Sequence, residues 1–217
     1  VSYPASGEVA SHSLYGESIQ FDVMRNDEKV GEHITSFQKE GDRLIVTSKM
    51  DLSISILSIP FYQFTYQAKE IWEKDHLVKL DIALRDGRDK IQITGTLDQN
   101  SFLVGKIEND QDIQKSRLPA PLHTTNHWNH HVLNETMVLN TLTGRLNKIE
   151  LRKTQIDTLL FKDIHLTATQ YEYIGDLKDT WVWYDQKGRW VKLAFIARDG
   201  SRIEYLCTNC IKEEINS

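Results

Sequence analysis

The feature that most constrains this chain is a run of residues, 44–56, in which apolar and polar side chains alternate. Every second position is mostly apolar, and the positions between are mostly polar; the first set is Leu44, Val46, Ser48, Met50, Leu52, Ile54 and Ile56. A period of two is typical of a strand with one buried and one solvated face. The same parity returns in residues 62–72 and 78–84. We therefore predict three successive long strands that share one apolar surface.

Strands of this length also constrain the shape of the sheet. At about 3.3 Å per residue the first strand would be roughly 40 Å long, well beyond an ordinary strand of five or six residues. Such strands must twist, so the sheet is expected to curl around something. The sequence predicts an all-β, mainly antiparallel fold: a long curled meander, as in a spiral β-roll or an open barrel, with one short helical segment near residues 126–140.

Turn signals divide the chain into hairpins. Asn26-Asp27, Lys74-Asp75, Asp86-Gly87 and Asp199-Gly200 stand between alternating runs, as hairpin turns do. Residues 108–125 are polar, contain two prolines and show no clear period, so we predict a long connection there. The expected organisation is a loose arm over residues 1–16, a single β-rich domain over residues 17–210 and a tail over residues 211–217.

Composition excludes several classes of function. The chain has 217 residues, of which 40% are hydrophobic and 26% charged, which is typical of a globular protein. A net charge of -5 and the lack of a basic stripe argue against nucleic-acid binding. Its apolar runs are only a few residues long, so we expect no membrane-spanning segment.

The side chains on the shared apolar face are the first candidate site. We expect a hydrophobic ligand to contact Phe64, Tyr66, Glu70, Trp72, Leu80, Ile82 and Trp128. The alternative, which we favour because a filled interior is the default for native proteins, is that these side chains pack on the helix near Trp128 and form a solid core. Glu70 has the parity of the inward residues, where a carboxylate needs a partner. That partner is either an Arg or Lys of a neighbouring strand or the headgroup of a ligand.

A histidine cluster is the second candidate site. His123, His127, His130 and His131 lie close together in sequence, and on a helix His127 and His131 would be one turn apart on the same face. Two imidazoles so placed can bind Zn²⁺ or Cu²⁺, with His123 or Glu135 as a further ligand. The alternative, which we favour, is a solvated helix face that needs no cofactor.

The two cysteines, Cys207 and Cys210, lie three positions apart near the C-terminus. In an oxidising compartment this spacing closes a small disulfide; in a reducing one it would indicate redox or metal chemistry.

The order of several motifs resembles that of a family of exported bacterial proteins of unknown function. The resemblance covers residues 19–206. Its motifs are Phe21-x-Val23, Val30-Gly31-Glu32-His33, Tyr66 with Glu70-x-Trp72, Leu139-Asn140 with Thr143-Gly144, Trp183-Tyr184-Asp185 with Gly188-Arg189-Trp190-Val191-Lys192, and Asp199-Gly200 before Tyr205. It implies a periplasmic or surface location and a rolled antiparallel sheet similar to that of the lipoprotein carriers of the Lol system. It supplies no catalytic residues.

These observations favour an exported, non-enzymatic protein that holds a lipid or other hydrophobic molecule in a curled sheet. The sequence begins with Val1, which the removal of a signal peptide would explain. There is no Gly-x-Ser-x-Gly, phosphate-binding glycine loop or His-Glu-x-x-His motif that would define an enzyme. Two alternatives stay open: a metal-binding protein or metal-dependent enzyme that uses residues 123–131, and a structural module with a protein partner in the cell envelope.

Overall fold

The protein folds as one antiparallel sheet. The computed structural model describes residues 10–56 and 59–211, with only the backbone given for residues 56 and 59–61. Within these ranges the sheet has 14 strands. They are β1 Ser18–Arg25, β2 Glu28–Glu40, β3 Arg43–Ile56, β4 Ile59–Glu73, β5 His76–Asp86, β6 Asp89–Asp98, β7 Ser101–Glu108, β8 Gln111–Pro119, β9 Met137–Leu139, β10 Leu146–Phe161, β11 Ile164–Gly175, β12 Thr180–Asp185, β13 Trp190–Ile196 and β14 Arg202–Asn209. The predicted all-β antiparallel class is confirmed.

Two meanders meet in the middle of the sheet. The strand order is β8-β7-β6-β5-β4-β3-β2-β1-β14-β13-β12-β11-β10-β9, so β1 pairs with both β2 and β14. The sheet is not closed, because β8 and β9 lie at its two edges. A side-chain contact links the two edge regions: the Gln114 Nε2 atom donates to the carbonyl oxygen of Gly144 at 3.0 Å.

The period of two decides which side chains are buried. In β3, Leu44, Val46 and Met50 are buried. Lys49 and Asp51, the neighbours of Met50 in sequence, are exposed. The same parity continues across β4 and β5 because these strands pair residue by residue, apart from local bulges. The predicted shared apolar face is therefore present, and it forms the inner, concave face of the sheet.

Residues 120–136, which we call the plug, lie against this concave face. Asn126 contacts Glu70 of β4, and the adjacent His127 contacts Tyr173 of β11. Strands β3, β2, β1, β14, β13 and β12 separate β4 from β11 in the sheet. Two neighbouring plug residues can reach both strands only because the sheet curls around the plug.

The plug is not the helix that the sequence predicted. Its helical part is one 3-10 turn, His130–Asn134, whose N-cap Asn129 accepts from the His131 N–H. The carbonyl groups of His127 and Trp128, which a helix would use internally, instead accept hydrogen bonds from the hydroxyls of Tyr184 and Tyr15. Tertiary hydrogen bonds replace the helical ones, and the backbone from residue 126 to residue 129 stays extended or turned.

Three other sequence expectations differ from the structure. Within the predicted connection, Gln111–Pro119 forms β8. The sequence predicts a strand over residues 146–151, but β10 continues to Phe161, ten residues further. Residues 1–9 of the expected arm and 212–217 of the expected tail lie outside the described residues, but Ser11–Leu14 forms a 3-10 turn and Tyr15 is buried.

Cys207 and Cys210 form a disulfide at the end of β14. No helix in the described part of the chain is long and apolar enough to cross a membrane.

Candidate functional site

The centre of the concave face is a fully buried carboxylate. Glu70, with 0% of its surface exposed, lies on β4 and points towards the plug. Its Oε1 atom accepts hydrogen bonds from Thr124 Oγ1 and Asn126 Nδ2, both at 2.7 Å. Its Oε2 atom accepts from the indole nitrogens of Trp72 at 3.0 Å and Trp128 at 3.3 Å. Both oxygens are therefore saturated, three of the four donors coming from the plug.

The partners of Glu70 are neutral, which differs from the Arg or Lys partner considered from the sequence. Burial raises the pKa of the Glu70 carboxyl above its usual range, and the four donated hydrogen bonds oppose this increase. An ionised carboxylate only accepts hydrogen bonds, so four donors match the charged form of Glu70. A buried carboxylate without a counter-charge is nevertheless energetically costly, which makes it unusual in a purely structural core.

Two tryptophans separate Glu70 from solvent. The rings of Trp72 and Trp128 meet edge to face, with centroids 5.5 Å apart, and both residues are 2% exposed. Above them lies a cavity of about 150 Å³ whose apolar lining consists of these two residues and Leu44. Lys39, Asp42, Lys74 and Asp75 are among the residues that line its mouth. The two indoles that bind Glu70 thus also form part of the wall of a solvent-accessible cavity.

The other residues predicted to contact a ligand lie on the same face. Tyr66, Leu80 and Ile82 are buried, and Phe64 is half-buried and packs against the core. The Tyr66 hydroxyl donates to Asn126 Oδ1 at 3.4 Å. The structure therefore brings the predicted residues together around the plug, which occupies the space beside them.

The histidines are divided between two places. His127 is buried, its Nδ1 atom lies 3.2 Å from the Tyr173 hydroxyl, and burial lowers its pKa to about 3. His131 lies instead beside His123 and His130, with ring centroids 6.2 and 4.7 Å apart. The shared helix face on which the predicted metal pair depended is absent, because the plug between His127 and His131 is not a continuous helix.

A metal site lacks a complete set of ligands. In residues 10–56 and 59–211 no group of three or more His, Cys, Asp or Glu side chains is placed to hold a metal ion. The His123 Nδ1 atom lies 2.9 Å from Glu135 Oε1, so the residue considered as a further ligand is already paired. Burial lowers the pKa of His123, against the opposing effect of Glu135.

Three residues of the site were not identified from the sequence. Thr124 and Asn126 donate to Glu70, but the first falls in the expected connection and the second at the start of the expected helical segment. Tyr15 falls in the expected loose arm, yet its hydroxyl donates to the Trp128 carbonyl oxygen at 3.1 Å and accepts from the Trp190 N–H at 2.8 Å. Tyr15 and Thr124 lie in segments without periodicity, and Asn126 is a polar residue at the start of the expected helical segment, so none of the three carried a signal for burial.

A second polar group is buried near the middle of the sheet. His33 is 5% exposed, and its ring is surrounded by Phe21, Trp190 and Tyr205 at centroid distances of 6.2, 5.7 and 5.3 Å. Its Nδ1 atom has no hydrogen-bond partner within the described residues. Burial lowers the pKa of His33 to about 4, so the imidazole is neutral at neutral pH.

Fold and site together define a class: a β-barrel-like sheet, open at one seam, that holds an internal segment against a buried carboxylate. The chain belongs to the family described as Domain of unknown function (DUF6134), whose model matches residues 21–208. Membership confirms the predicted relation to a family of unknown function.

The fold is similar to that of a protein solved by crystallography, described as a beta-barrel-like protein of domain of unknown function DUF1849 from Brucella abortus. The two match with a TM-score of 0.64 and 8% identity, over 93% of this chain and 99% of that one. At this identity the likeness concerns the fold alone. A search of curated proteins found no match to the chain.

Proposed function

We propose that this chain is an exported, non-enzymatic binding protein that holds a lipid or other hydrophobic molecule on the concave face of its sheet. The disulfide between Cys207 and Cys210 supports export, since such bonds persist in oxidising compartments. The buried aromatic and aliphatic side chains around Tyr66, Trp72 and Leu80 provide an apolar wall.

One observation carries the proposal. The cavity near Leu44 is lined by the same two indoles that donate hydrogen bonds to Glu70. A molecule that enters the cavity and separates Trp72 from Trp128 therefore reaches the carboxylate directly. A solid structural core would not require a buried carboxylate that only two indole rings separate from a solvent-accessible cavity.

The size of the cavity determines what must move. Sites for small molecules have volumes of about 300–1,000 Å³, and the cavity has only about 150 Å³. An acyl chain fits only when Trp128 and the adjacent part of the plug move away from β4. The ligand tail then takes the place of the Trp128 ring.

The chemistry of Glu70 selects the polar end of the ligand. Moving the plug removes the donors Thr124, Asn126 and Trp128, and leaves the carboxylate with Trp72 alone. Unpaired buried acceptors are costly, so the ligand must donate hydrogen bonds in return. A hydroxyl, amide or ammonium headgroup does so, whereas a fatty-acid carboxylate would place two negative charges together. The expected ligand is a long-chain alcohol, amide or amine.

Mass spectrometry of the native protein tests the proposal. Protein purified from its own host is expected to carry a hydrophobic molecule that organic extraction releases. Loss of that molecule on substitution Glu70→Leu, with retention by Glu73→Leu at the end of the same strand, would support the anchoring role of Glu70.

Fluorescence provides an independent measurement with a defined probe. A brominated long-chain alcohol is expected to quench tryptophan emission in the wild type, and Trp128→Phe should reduce the quenched fraction. Trp181→Phe, on strand β12, is the matched control and should leave that fraction unchanged. Absence of both a copurified hydrophobic molecule and quenching by the probe contradicts the proposal.

A further inference from the structure

The outer face of strands β3 to β6 carries a second concave feature, on the side of the sheet opposite to the plug. It is a groove of about 490 Å³. The side chains of Lys49, Asp51, Gln67, Arg85, Lys90 and Gln92 line it, and all six residues are exposed. Ala83 lies between Gln67 and Gln92 in the strand pairing. Its methyl group is shorter than the surrounding side chains and so leaves a depression.

The positive charges in this groove outnumber the negative ones. Lys49, Arg85 and Lys90 form no ion pair in the part of the chain that the structure describes, and Asp51 is the single carboxylate in the lining. Other lysines on the surface do have partners: Lys29 contacts Asp22 and Glu32. The whole chain has a net charge of -5, whereas the lining of this groove has three cations and one anion.

Two of the cations lie in an arrangement that destabilises the sheet. Arg85 of β5 and Lys90 of β6 are direct cross-strand partners. Side chains in such positions lie about 5 Å apart at Cβ, and like charges placed opposite one another are destabilising. An anion bound between the two side chains removes this repulsion and forms charge-assisted hydrogen bonds with both.

We propose that this groove binds a phosphorylated sugar or polyol. A phosphate monoester carries about two negative charges at neutral pH, which matches the Arg85 and Lys90 pair better than a single carboxylate does. The amides of Gln67 and Gln92 donate to and accept from hydroxyl groups, and Asp51 accepts from them. Because this site is on the outer face, it does not depend on the hydrophobic ligand proposed above.

Calorimetry at low ionic strength tests the site with glucose 6-phosphate, glucose and inorganic phosphate as probes. Glucose 6-phosphate is expected to bind more tightly than either of its parts. The double substitution Arg85→Gln with Lys90→Gln should weaken its binding by roughly tenfold or more, because the charge-assisted hydrogen bonds from both side chains to the phosphate are lost. Circular dichroism checks that the variant is folded.

A second double substitution, Lys153→Gln with Lys178→Gln, makes the same change in net charge away from the groove and should leave the affinity unchanged. An equal loss in this control would overturn the proposal, because general attraction between charges would then explain the binding. Inorganic phosphate that binds as tightly as glucose 6-phosphate, or no binding of either, would also overturn it.

Vesicles distinguish the source of the ligand. The phosphorylated group is either a soluble molecule or the headgroup of a lipid. Cosedimentation with phosphatidylcholine vesicles that contain phosphatidylinositol 4-phosphate, whose headgroup carries a phosphate monoester on a polyol, abolished by the Arg85 and Lys90 substitutions, assigns the headgroup. Binding of glucose 6-phosphate without vesicle binding assigns the soluble form.

Discussion

The rings of Trp72 and Trp128 meet edge to face with their centroids 5.5 Å apart, one on strand β4 and the other on the plug. Both donate to the same oxygen of Glu70. An apolar contact and a shared acceptor therefore hold the plug at the same point. Indole nitrogens donate only, so each of these two residues needs an acceptor, and Glu70 serves both.

Removing this carboxylate is expected to destabilise the fold. The substitution Glu70→Leu leaves two buried indole donors without an acceptor, and each such group costs about 1–3 kcal/mol. We expect the free energy of unfolding in urea to fall by about 2 kcal/mol or more. Glu73→Leu, which removes an exposed pair with Arg43, should change it by less than about 1 kcal/mol. Equal stability of Glu70→Leu and wild type would contradict the structural role.

The Tyr15 hydroxyl provides a second test of how the plug is held. It bonds the carbonyl group of Trp128 and the N–H group of Trp190. Tyr15→Phe deprives both backbone groups of their partner, so we expect a loss of about 1–3 kcal/mol and faster amide exchange in the plug. Tyr171→Phe is the matched control, because that hydroxyl makes no hydrogen bond within the described residues. Unchanged exchange in Tyr15→Phe would show that the plug is held by other contacts.

His33 predicts a dependence of stability on pH. Burial depresses its folded-state pKa from about 6.5 to about 4, so the unfolded chain binds the proton more tightly. The stability it contributes is present above pH 6.5 and is lost as the pH falls towards 4, by an amount on the order of 3 kcal/mol. Glu70, with a raised pKa, acts in the opposite direction: its contribution is lost as the pH rises through its folded-state pKa.

Comparing the wild type with His33→Phe separates the effect of His33 on the pH dependence of stability from the effects of other titratable groups. The His33 Nδ1 atom has no partner among the described residues, so a phenyl ring loses no hydrogen bond there. Urea unfolding at several pH values should show that the free energy of unfolding of the variant rises relative to that of the wild type as the pH falls from 6.5 to 4. Parallel curves for the two proteins would contradict the assigned pKa.

The disulfide is expected to stabilise the fold without being required for it. Cys207 and Cys210 are separated by three positions, and closing so short a loop gives about 2 kcal/mol in the chain-entropy model. Reduction should therefore lower the unfolding free energy by about this amount and leave the sheet folded. The double substitution of both cysteines by Ser should make stability insensitive to reductant. Complete unfolding on reduction would show that the bond has a larger role.

Much of the sheet could be predicted because its residues follow one simple rule. In β3 to β5 the buried side chains occupy alternate positions, so Glu70 could be assigned to the inner face from parity alone. Strand β8 escaped this rule because, at the sheet edge, its inward positions include the polar Gln114 and Ser116. In β10 the register shifts between Lys153 and Gln155, which ends the alternation that marked its first part.

The plug could not be predicted from local signals. Trp128, Val132 and Leu133 have helical spacing, yet Tyr15 and Tyr184 take the carbonyl groups that a helix would use. Such partners lie more than 50 positions away in sequence, and no local pattern encodes them. The donors of Glu70 were missed for the same reason, because Thr124 and Asn126 acquire their role only when the sheet curls.

The pairing of β1 with β14 also has a consequence for the order of folding. Most neighbouring strands are joined by short turns and can assemble as local hairpins, which form quickly. The β1–β14 contact instead joins strands at opposite ends of the domain and closes a very long loop, a slow and entropically costly step. The plug touches strands of both meanders, so it becomes enclosed only once this late contact has formed.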